Sequence, residues 1–328
     1  MNHPQIPFSR LLIALIASTA ATLASAQKDY PAQTINLIVG YSAGGSTDNI
    51  ARPFAEVLAR VLKANVVVEN VSGAAGAMGA QKAANARPDG YTLLLGANGE
   101  LVGTKLLNPS QHYDGLKDFT PIGMVTRQGG ILLASRQVGI KTTDQFIQLL
   151  RKNPGKYNYA SSGVGSLFHF AGEIVRERTG TQITHVAYRG VPGLVNDLAG
   201  GAIEFGFMGT APAKAFIDSG AVVPLAVTSG TRSPMYPNVP ALAEHPDLKG
   251  YDLTGWFALM APKGLPEPVV AKLKAALKET LKDAQLRQTF NNLGGLPMTE
   301  DEDLPKLMRE ETVRYKKFVE MTQLDKQK

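Results

Sequence analysis

Residues 34–48 read Thr-Ile-Asn-Leu-Ile-Val-Gly-Tyr-Ser-Ala-Gly-Gly-Ser-Thr-Asp, which predicts a buried strand, a glycine-rich turn and the start of a helix. Gly44 and Gly45 permit a tight turn, and Ser46 to Asp48 are residue types that cap helices. The unpaired N–H groups and positive dipole end of such a helix attract an anion. The stretch therefore predicts either an anion-binding turn or a purely structural one, with Asp48 as a cap.

The same strand–turn–helix order recurs along the chain. Strands are predicted at Thr34–Val39, Asn65–Glu69, Tyr91–Gly96, Gly130–Ala134, Lys156–Ala160, Thr184–Tyr188, Ile203–Met208, Val222–Thr228 and Trp256–Met260. Helices are predicted at Asp48–Lys63, Ala75–Ala86, Thr143–Asn153, Phe168–Thr179, Pro192–Ala199, Ala211–Ser219, Glu267–Leu293 and Asp303–Met321. Continuous apolar strands that alternate with helices predict a doubly wound α/β fold with helices on both faces of the sheet.

A second serine- and glycine-rich turn follows the strand that ends at Ala160. Residues 161–166 read Ser-Ser-Gly-Val-Gly-Ser, and Ser166 is placed to cap the next helix. The turn is neither a dinucleotide fingerprint, because Phe168 stands where a glycine is needed, nor a P-loop, because Gly-Lys-Ser/Thr is missing. We expect a second anion-binding turn, with His169 in a packing or capping role.

The chain divides into a leader and two lobes. A positive Arg10, the apolar run 11–23 and Ala24-Ser25-Ala26 predict a signal peptide over residues 1–26, cleaved after Ala26. Lobe one is expected over residues 27–126 plus 250–328, and lobe two over residues 127–249. The chain would cross between them at Pro121–Gln128 and near Gly250–Gly255.

Composition excludes several functions. The 328 residues include no cysteine, which excludes thiol catalysis, cysteine-ligated zinc and iron–sulfur clusters. The five histidines form no paired spacing, so we expect neither a metal nor a cofactor. A net charge of +6 is spread along the chain, which favours an anionic small molecule over nucleic acid.

One alternative function is a secreted serine hydrolase. Residues 40–44 match Gly-x-Ser-x-Gly, the nucleophile elbow of α/β-hydrolases, with Ser42 as nucleophile and Asp197 and His245 as conceivable partners. The elbow of that fold follows several strands, whereas this motif follows the first one, and no spacing singles out the partners. The sequence therefore predicts a binding protein rather than an enzyme.

Ordered landmarks along the whole chain support a family resemblance. They include Tyr30-Pro31, Ala43–Asp48, Val68–Asn70, Gly73–Gly76, Arg87–Leu93, Tyr113-Asp114, Lys117–Phe119, Asn153–Lys156, Tyr159–Gly165, Tyr188–Gly190, Gly200-Gly201, Val239-Pro240 and Trp256-Phe257. With these landmarks, the chain resembles the Bug-type periplasmic solute receptors of tripartite tricarboxylate transporters.

The resemblance implies a two-lobed type II periplasmic binding-protein fold with a ligand cleft between the lobes. It implies a monomeric periplasmic receptor that closes over a small carboxylate or dicarboxylate and delivers it to a membrane permease, or serves a sensor. The expected ligand-binding residues are Tyr41, Ser42, Ala43, Gly44, Gly45, Ser46, Thr47, Asn98, Ser161, Ser162, Gly163, Ser166, His169, Tyr188, Met208 and Gly209.

Two positions depart from the family pattern. Gly40 stands where proline is usual, and Phe207-Met208-Gly209-Thr210 replaces a segment that usually carries aspartate or asparagine and faces the far end of the ligand. The substitution predicts an apolar far pocket and hence an aromatic or aliphatic carboxylate. Tyr188 is expected either to close on the ligand or to pack between the lobes, and Trp256 is expected in the core.

Overall fold

The computed structural model describes residues 30–296 and 302–324. The expected signal peptide lies outside these ranges. The strands are β1 Ile35–Val39, β2 Val66–Asn70, β3 Thr92–Ala97, β4 Phe119–Gln128, β5 Gly130–Ser135, β6 Asn158–Ser161, β7 Thr184–Ala187, β8 Phe205–Gly209, β9 Val222–Val227, β10 Gly255–Pro262 and β11 Gly295–Leu296. The helices are α1 Ser46–Leu62, α2 Ala77–Ala84, α3 Thr104–Leu107, α4 Thr143–Lys152, α5 Leu167–Thr179, α6 Val191–Gly200, α7 Thr210–Asp218, α8 Glu267–Thr280, α9 Ala284–Asn292 and α10 Leu304–Thr322.

The strands form two sheets, each flanked by helices. The first has the order β11-β4-β10-β3-β1-β2 and the second β7-β6-β8-β5-β9. Within them β1 runs parallel to β2 and β3, and β6 runs parallel to β7 and β8. The parallel strands place the turns that follow β1 and β6 at carboxyl edges of their sheets, where ligand sites of α/β proteins lie.

Each sheet also contains antiparallel pairs. Strand β10 runs antiparallel to β3 and β4, and β5 runs antiparallel to β8 and β9. Only Gly129 separates β4 of the first sheet from β5 of the second. The segment expected as an extended crossing at Pro121–Gln128 is thus most of a ten-residue strand that belongs to the first sheet. The second passage between the sheets leads from β9 to β10.

The prediction of one helix over Glu267–Leu293 is wrong. Helix α8 ends at Thr280, and α9 begins at Ala284. Asp283 caps α9, because its side chain accepts a hydrogen bond from the N–H of Leu286 at 2.9 Å. A capping aspartate favours a new helix start over an uninterrupted helix.

The last helix packs against the strands that border the cleft. Trp256 of β10 is fully buried, as expected, and its Nε1–H donates to Glu311 of α10 at 2.8 Å. Such a partner satisfies the indole N–H inside the core. In the described ranges no helix is both long enough and apolar enough to cross a bilayer.

Candidate ligand-binding cleft

Three helix starts surround a small cavity between the two sheets. The cavity has a volume of about 40 Å³ and lies where α1, α5 and α6 begin. Its lining residues are Tyr41, Ser42, Gly45, Ser46, Thr47, Ala97, Asn98, Gly99, Gln128, Ser162, Ser166, Leu167, Phe168, Gly190, Val191, Gly255 and Phe257. None of these side chains is charged, so positive potential reaches the cavity mainly from backbone N–H groups.

Asp48 shapes the first turn, although not as the expected cap. The N-cap residue of α1 is Gly45, and Asp48 lies inside the first helical turn. Its buried carboxylate accepts from Gly44 N–H (2.9 Å), Arg52 Nε (2.8 Å) and Asn70 Nδ2 (2.9 Å). These hydrogen bonds outweigh the effect of burial and lower the pKa of Asp48. The ionised side chain therefore holds the turn from behind and does not face the cavity.

The start of α1 offers unused hydrogen-bonding groups. Ser46 Oγ is buried and has no hydrogen-bond partner among the described residues. Thr47 is 4% exposed and lines the same cavity. The first N–H groups of a helix also have no partner within the helix. A buried hydroxyl without a partner is costly, and this one is free to form a hydrogen bond with a polar atom in the cavity.

The second turn is fixed by a network of buried side chains. Ser166 caps α5, as predicted, by accepting from the N–H of His169 at 3.2 Å. His169 Nδ1 in turn accepts from Gly165 N–H at 3.1 Å, and Ser161 Oγ lies 2.7 Å from His185 Nε2. The two imidazoles stack with their centroids 4.0 Å apart.

Both histidines in this network are uncharged near neutral pH. Burial is the first cause, and it lowers the pKa of His169 to about 2 and that of His185 to about 4. Their role is therefore structural, because they act as neutral hydrogen-bonding groups beneath the turn. His169 is 4% exposed and Ser161 is fully buried, and neither lines the cavity.

Two buried amide side chains form the floor of the cavity. Asn98 donates from Nδ2 to the Tyr315 hydroxyl of α10 at 2.8 Å. Gln128, at the end of β4, donates from Nε2 to the carbonyl oxygen of Leu293. Sequence reasoning named Asn98 but missed Gln128, which the crossing between the sheets places at the cleft.

The rest of the wall is apolar. Leu167, Phe168, Val191 and Phe257 contribute side chains to it. The sequence placed an apolar far pocket at Met208, but this residue is fully buried in the core of the second sheet and does not line the cavity. The expected apolar character thus comes from α5, α6 and β10. Phe168 could have been found, since it lies two residues after the serine-rich turn.

The structure brings together about half of the sequence-predicted residues. Eight of them line the cavity: Tyr41, Ser42, Gly45, Ser46, Thr47, Asn98, Ser162 and Ser166. Ala43 and Gly44 are exposed on the outer side of the turn, while Ser161, His169 and Met208 are buried behind the cavity wall. Gly209 packs against Ser46, because a Cβ atom built on it would lie 2.1 Å from Ser46 Oγ.

A larger groove of about 380 Å³ adjoins the cavity and shares Tyr41 and Ser162 with it. Gly163 and Tyr188, both predicted site residues, line this groove rather than the cavity. The Tyr188 hydroxyl donates to Asp197 at 2.7 Å. Among the described residues, the exposed Arg189 is the one charged side chain that borders the groove. The groove therefore has a weakly positive rim.

The two sides of the cleft touch each other at several points. Ser42 Oγ donates to the backbone oxygen of Arg189 at 2.8 Å. A Cβ atom at Gly190 would lie 2.5 Å from Ser42 Oγ, so a side chain there would not fit. This arrangement is closed, and the 40 Å³ that remains inside holds at most a few water molecules.

The contacts of Ser42 differ from those of a hydrolase nucleophile. Its hydroxyl is used by a backbone carbonyl, and the suggested partners are engaged elsewhere. Asp197 accepts from Tyr188, and His245 Nδ1 accepts from the N–H of Asp247 at 3.2 Å. The described residues also include no cluster of three or more His, Asp or Glu that could hold a metal ion.

Comparison with known proteins identifies the family. A family model described as the tripartite tricarboxylate transporter family receptor matches residues 50–324. The chain belongs to this receptor family. It is 33% identical to BugT of Bordetella pertussis over 296 residues, which cover 88% of this chain and 90% of BugT.

Solved structures show the same two-lobed fold. A protein of R. palustris solved with adipate superposes with a TM-score of 0.86 and 28% identity, over 90% of this chain and 99% of that one. MatC from Rhodopseudomonas palustris, solved with bound malate, gives 0.83 and 30%, over 88% of this chain and all of MatC. Each of these two structures thus contains a small dicarboxylate.

Proposed function

We propose that this receptor captures a small carboxylate between its lobes and passes it to a membrane permease. The observation that carries the proposal is the convergence of three helix starts on a cavity with hydroxyl and amide groups and no charged side chain. An anion there is neutralised by helix dipoles and hydrogen bonds rather than by a counter-ion. The adipate and malate bound to its structural relatives support the same ligand class.

The hydrogen-bonding groups around the cavity are sufficient to bind a carboxylate with micromolar affinity. Ser46 Oγ, Thr47 and the N–H groups of α1 lie on one side, and Ser162 and the start of α5 lie on the other. Hydrogen bonds to a charged group contribute about 1.5–3 kcal/mol each, and helix ends add about 0.3–2 kcal/mol. Four such contacts, less the cost of association, leave about −8 kcal/mol, which is micromolar binding.

The apolar wall narrows the ligand class. Phe168, Val191 and Phe257 offer no hydrogen-bonding side chain to the part of the ligand beyond its carboxylate. The ammonium group of an amino acid in that position would lose its water without gaining a partner. We therefore propose an aliphatic or aromatic carboxylate rather than an amino-acid dicarboxylate.

Opening and closing of the lobes is the proposed mechanism. Because Ser42 and Arg189 join the two sides of the cleft, the lobes separate to admit a ligand. The ligand then favours the closed state by contacting both turns. We also propose export to the periplasm with cleavage after Ala26, lobes over residues 27–126 plus 250–328 and 127–249, action as a monomer, and binding without catalysis. Service to a sensor instead of a permease is the second candidate.

Thermal melting of residues 27–328, unfolded and refolded to remove bound solutes, tests the proposal. The panel contains adipate, malate, benzoate and aspartate, with adipamide as the uncharged match of adipate. A ligand at 100 times its Kd adds about 2.7 kcal/mol, which raises Tm by several degrees. We expect shifts with adipate, malate or benzoate, a smaller shift or none with aspartate, and none with adipamide. Equal shifts with adipate and adipamide, or no shift with any acid, would overturn the proposal.

Comparison of the wild-type protein with Ser42→Ala distinguishes a receptor from a hydrolase. We expect Ser42→Ala to weaken carboxylate binding severalfold, because Ser42 borders the cavity and bonds across the cleft to Arg189. No ester hydrolysis is expected from either protein. Hydrolysis that Ser42→Ala abolishes would instead establish the enzyme.

A further inference from the structure

Tyr41 separates the cavity from the neighbouring groove and rests on a buried carboxyl group. It lines both spaces, and its hydroxyl lies 2.9 Å from Glu100 Oε2 and 2.8 Å from the backbone oxygen of Ala75. Glu100 belongs to a π-helical turn, Gly99–Gly103, and is fully buried.

The hydrogen bonds of the Tyr41 hydroxyl indicate whether the Glu100 carboxyl group is protonated. A hydroxyl has one proton to donate, and the carbonyl oxygen of Ala75 can only accept it. The short contact between Tyr41 and Glu100 Oε2 then needs a proton from Glu100. The other oxygen, Oε1, accepts from Ala97 N–H at 2.6 Å, so each oxygen of a neutral carboxylic acid has a fitting partner.

The surroundings of Glu100 favour the same state. Within the described ranges it forms no ion pair, and the titratable groups that act on it are the phenols of Tyr41 and Tyr113, while Tyr315 acts on Tyr41. The Tyr113 hydroxyl donates to the backbone oxygen of Glu100, not to its carboxyl group. The Glu311 carboxyl of α10 is bound by Trp256 and Arg314 and is not among the groups that shift the pKa of Glu100. Burial is the first cause that raises the pKa of Glu100, to about 7.

We propose that Glu100 is a positioning residue that works as a neutral carboxylic acid, donating to Tyr41 and keeping negative charge away from the anion site. Ionisation of Glu100 leaves two acceptors competing for the one Tyr41 proton and places an unpaired charge behind the cavity. Capture of an anionic ligand therefore weakens as the pH rises through neutrality. This consequence rests on the proposed carboxylate receptor, whereas the protonation state of Glu100 does not.

The first experiment needs no ligand. Glu100→Gln mimics the neutral acid, since its amide oxygen can accept from Ala97 N–H and its amide N–H can donate to Tyr41. In the wild type the folded pKa is raised, so stability is lost as pH rises from the unfolded value near 4.5 through about 7. We expect Tm of the wild type minus Tm of Glu100→Gln to fall by about 5 °C or more between pH 5 and pH 8.

Infrared spectroscopy observes the proton directly and covers the case in which Glu100→Gln does not fold. The wild-type protein at pH 6 should show a protonated carboxyl band that disappears as the pH rises through 7. Tyr41→Phe, which removes the acceptor of the Glu100 proton, should shift this band and its titration midpoint. A wild type without the band at pH 6, or a Tm difference that does not change with pH, would overturn the proposal.

Binding of adipate, malate and benzoate at pH 6 and pH 8.5 measures the consequence. If only the neutral form binds, the apparent Kd of the wild type rises by up to about thirtyfold over this range. The Kd of Glu100→Gln should change by less than about threefold. An equal pH dependence in both proteins would contradict a positioning role. Failure of all three ligands at both pH values would contradict the carboxylate receptor, while the ligand-free experiments still decide the state of Glu100.

Discussion

A methyl group at Gly209 would meet the side chain of Ser46 across the cleft. The added Cβ atom would lie 2.1 Å from Ser46 Oγ and 2.9 Å from Ser46 Cβ. Rotation of the hydroxyl could relieve the first contact but not the second, because the Cβ position is fixed by the backbone. The φ angle of Gly209 is −67°, so alanine there causes no backbone strain.

We therefore expect Gly209→Ala to prevent full closure without unfolding the lobes. The Kd of the carboxylate with the largest melting shift should rise at least tenfold, while Tm without ligand should change by less than about 2 °C. Calorimetric titration and thermal melting measure the two quantities. Gly200→Ala is the matched control, since a Cβ atom there meets nothing within 4 Å. Normal binding by Gly209→Ala would show that this contact does not limit closure.

Two helix caps, one at the cavity and one away from it, can distinguish an effect on stability from an effect on ligand binding. Ser166 caps α5 at the cavity, and Thr142 caps α4, with its side chain accepting from the N–H of Gln145 at 3.2 Å. Replacing either cap by alanine costs about 1 kcal/mol. We expect Ser166→Ala and Thr142→Ala to lower the free energy of unfolding by similar amounts in chemical denaturation.

Only Ser166→Ala should also weaken binding. Ser166 lines the cavity, and its hydroxyl holds the turn that precedes α5, whereas Thr142 is not among the cavity residues. Isothermal titration should give a Kd at least fivefold higher for Ser166→Ala and an unchanged value for Thr142→Ala. Equal Kd values for the two variants would show that α5 does not contribute its N-terminus to the site.

The individual helices, strands and turns also differ in how well they could be predicted from the sequence. The turns after β1 and β6 carry local signals, because glycine and serine at a strand end have few other uses. Gln128 and Phe257 carry none, since they reach the cavity only through pairing of β4 with β10 and through the passage between sheets. Likewise, the break between α8 and α9 depended on one capping residue, Asp283, inside a long helical pattern.

Long-range pairing also explains why Glu100 could not be recognised from sequence. A lone glutamate after a strand is typical of a solvated loop. It is buried here because Tyr41 and Tyr113, which lie 59 and 13 residues away, close over it. The residues that determine the protonation state of Glu100 are thus brought together by the fold of the whole lobe. The residues that offer N–H groups to an anion, in contrast, lie in short turns that are continuous in sequence.

The whole molecule should show opposing effects of pH on stability, because buried groups titrate in opposite senses. The pKa values of His169 and His185 are lowered by burial, so they contribute stability above the unfolded value near 6.5 and lose it as pH falls. The pKa of Glu100 is raised, so its contribution is largest at low pH and is lost as pH rises. Between about pH 5 and pH 6, the protonation of each of these three groups differs between the folded and unfolded states.

The difference in the number of bound protons between the unfolded and folded states determines how steeply the unfolding free energy changes with pH. Each histidine that binds its proton only in the unfolded chain adds about 1.4 kcal/mol to the unfolding free energy lost per unit of acidification, and Glu100, which binds its proton only in the folded chain, subtracts about the same amount. Glu100→Gln removes a group that opposes this loss, so its loss should exceed that of the wild type by about 1.4 kcal/mol per pH unit. His185→Gln removes one histidine, so its loss should be smaller than that of the wild type by about the same amount.

Denaturant unfolding at pH 5.0, 5.5 and 6.0 measures these slopes, and differences between proteins cancel the groups they share. The double variant Glu100→Gln/His185→Gln should return to the slope of the wild type, because it has lost one group of each kind. His185 contacts Ser161 and Glu100 contacts Tyr41, with no shared partner, so their effects should add. If Glu100→Gln and the wild type have the same slope, Glu100 is ionised in the folded protein; if His185→Gln and the wild type agree, His185 carries a proton there.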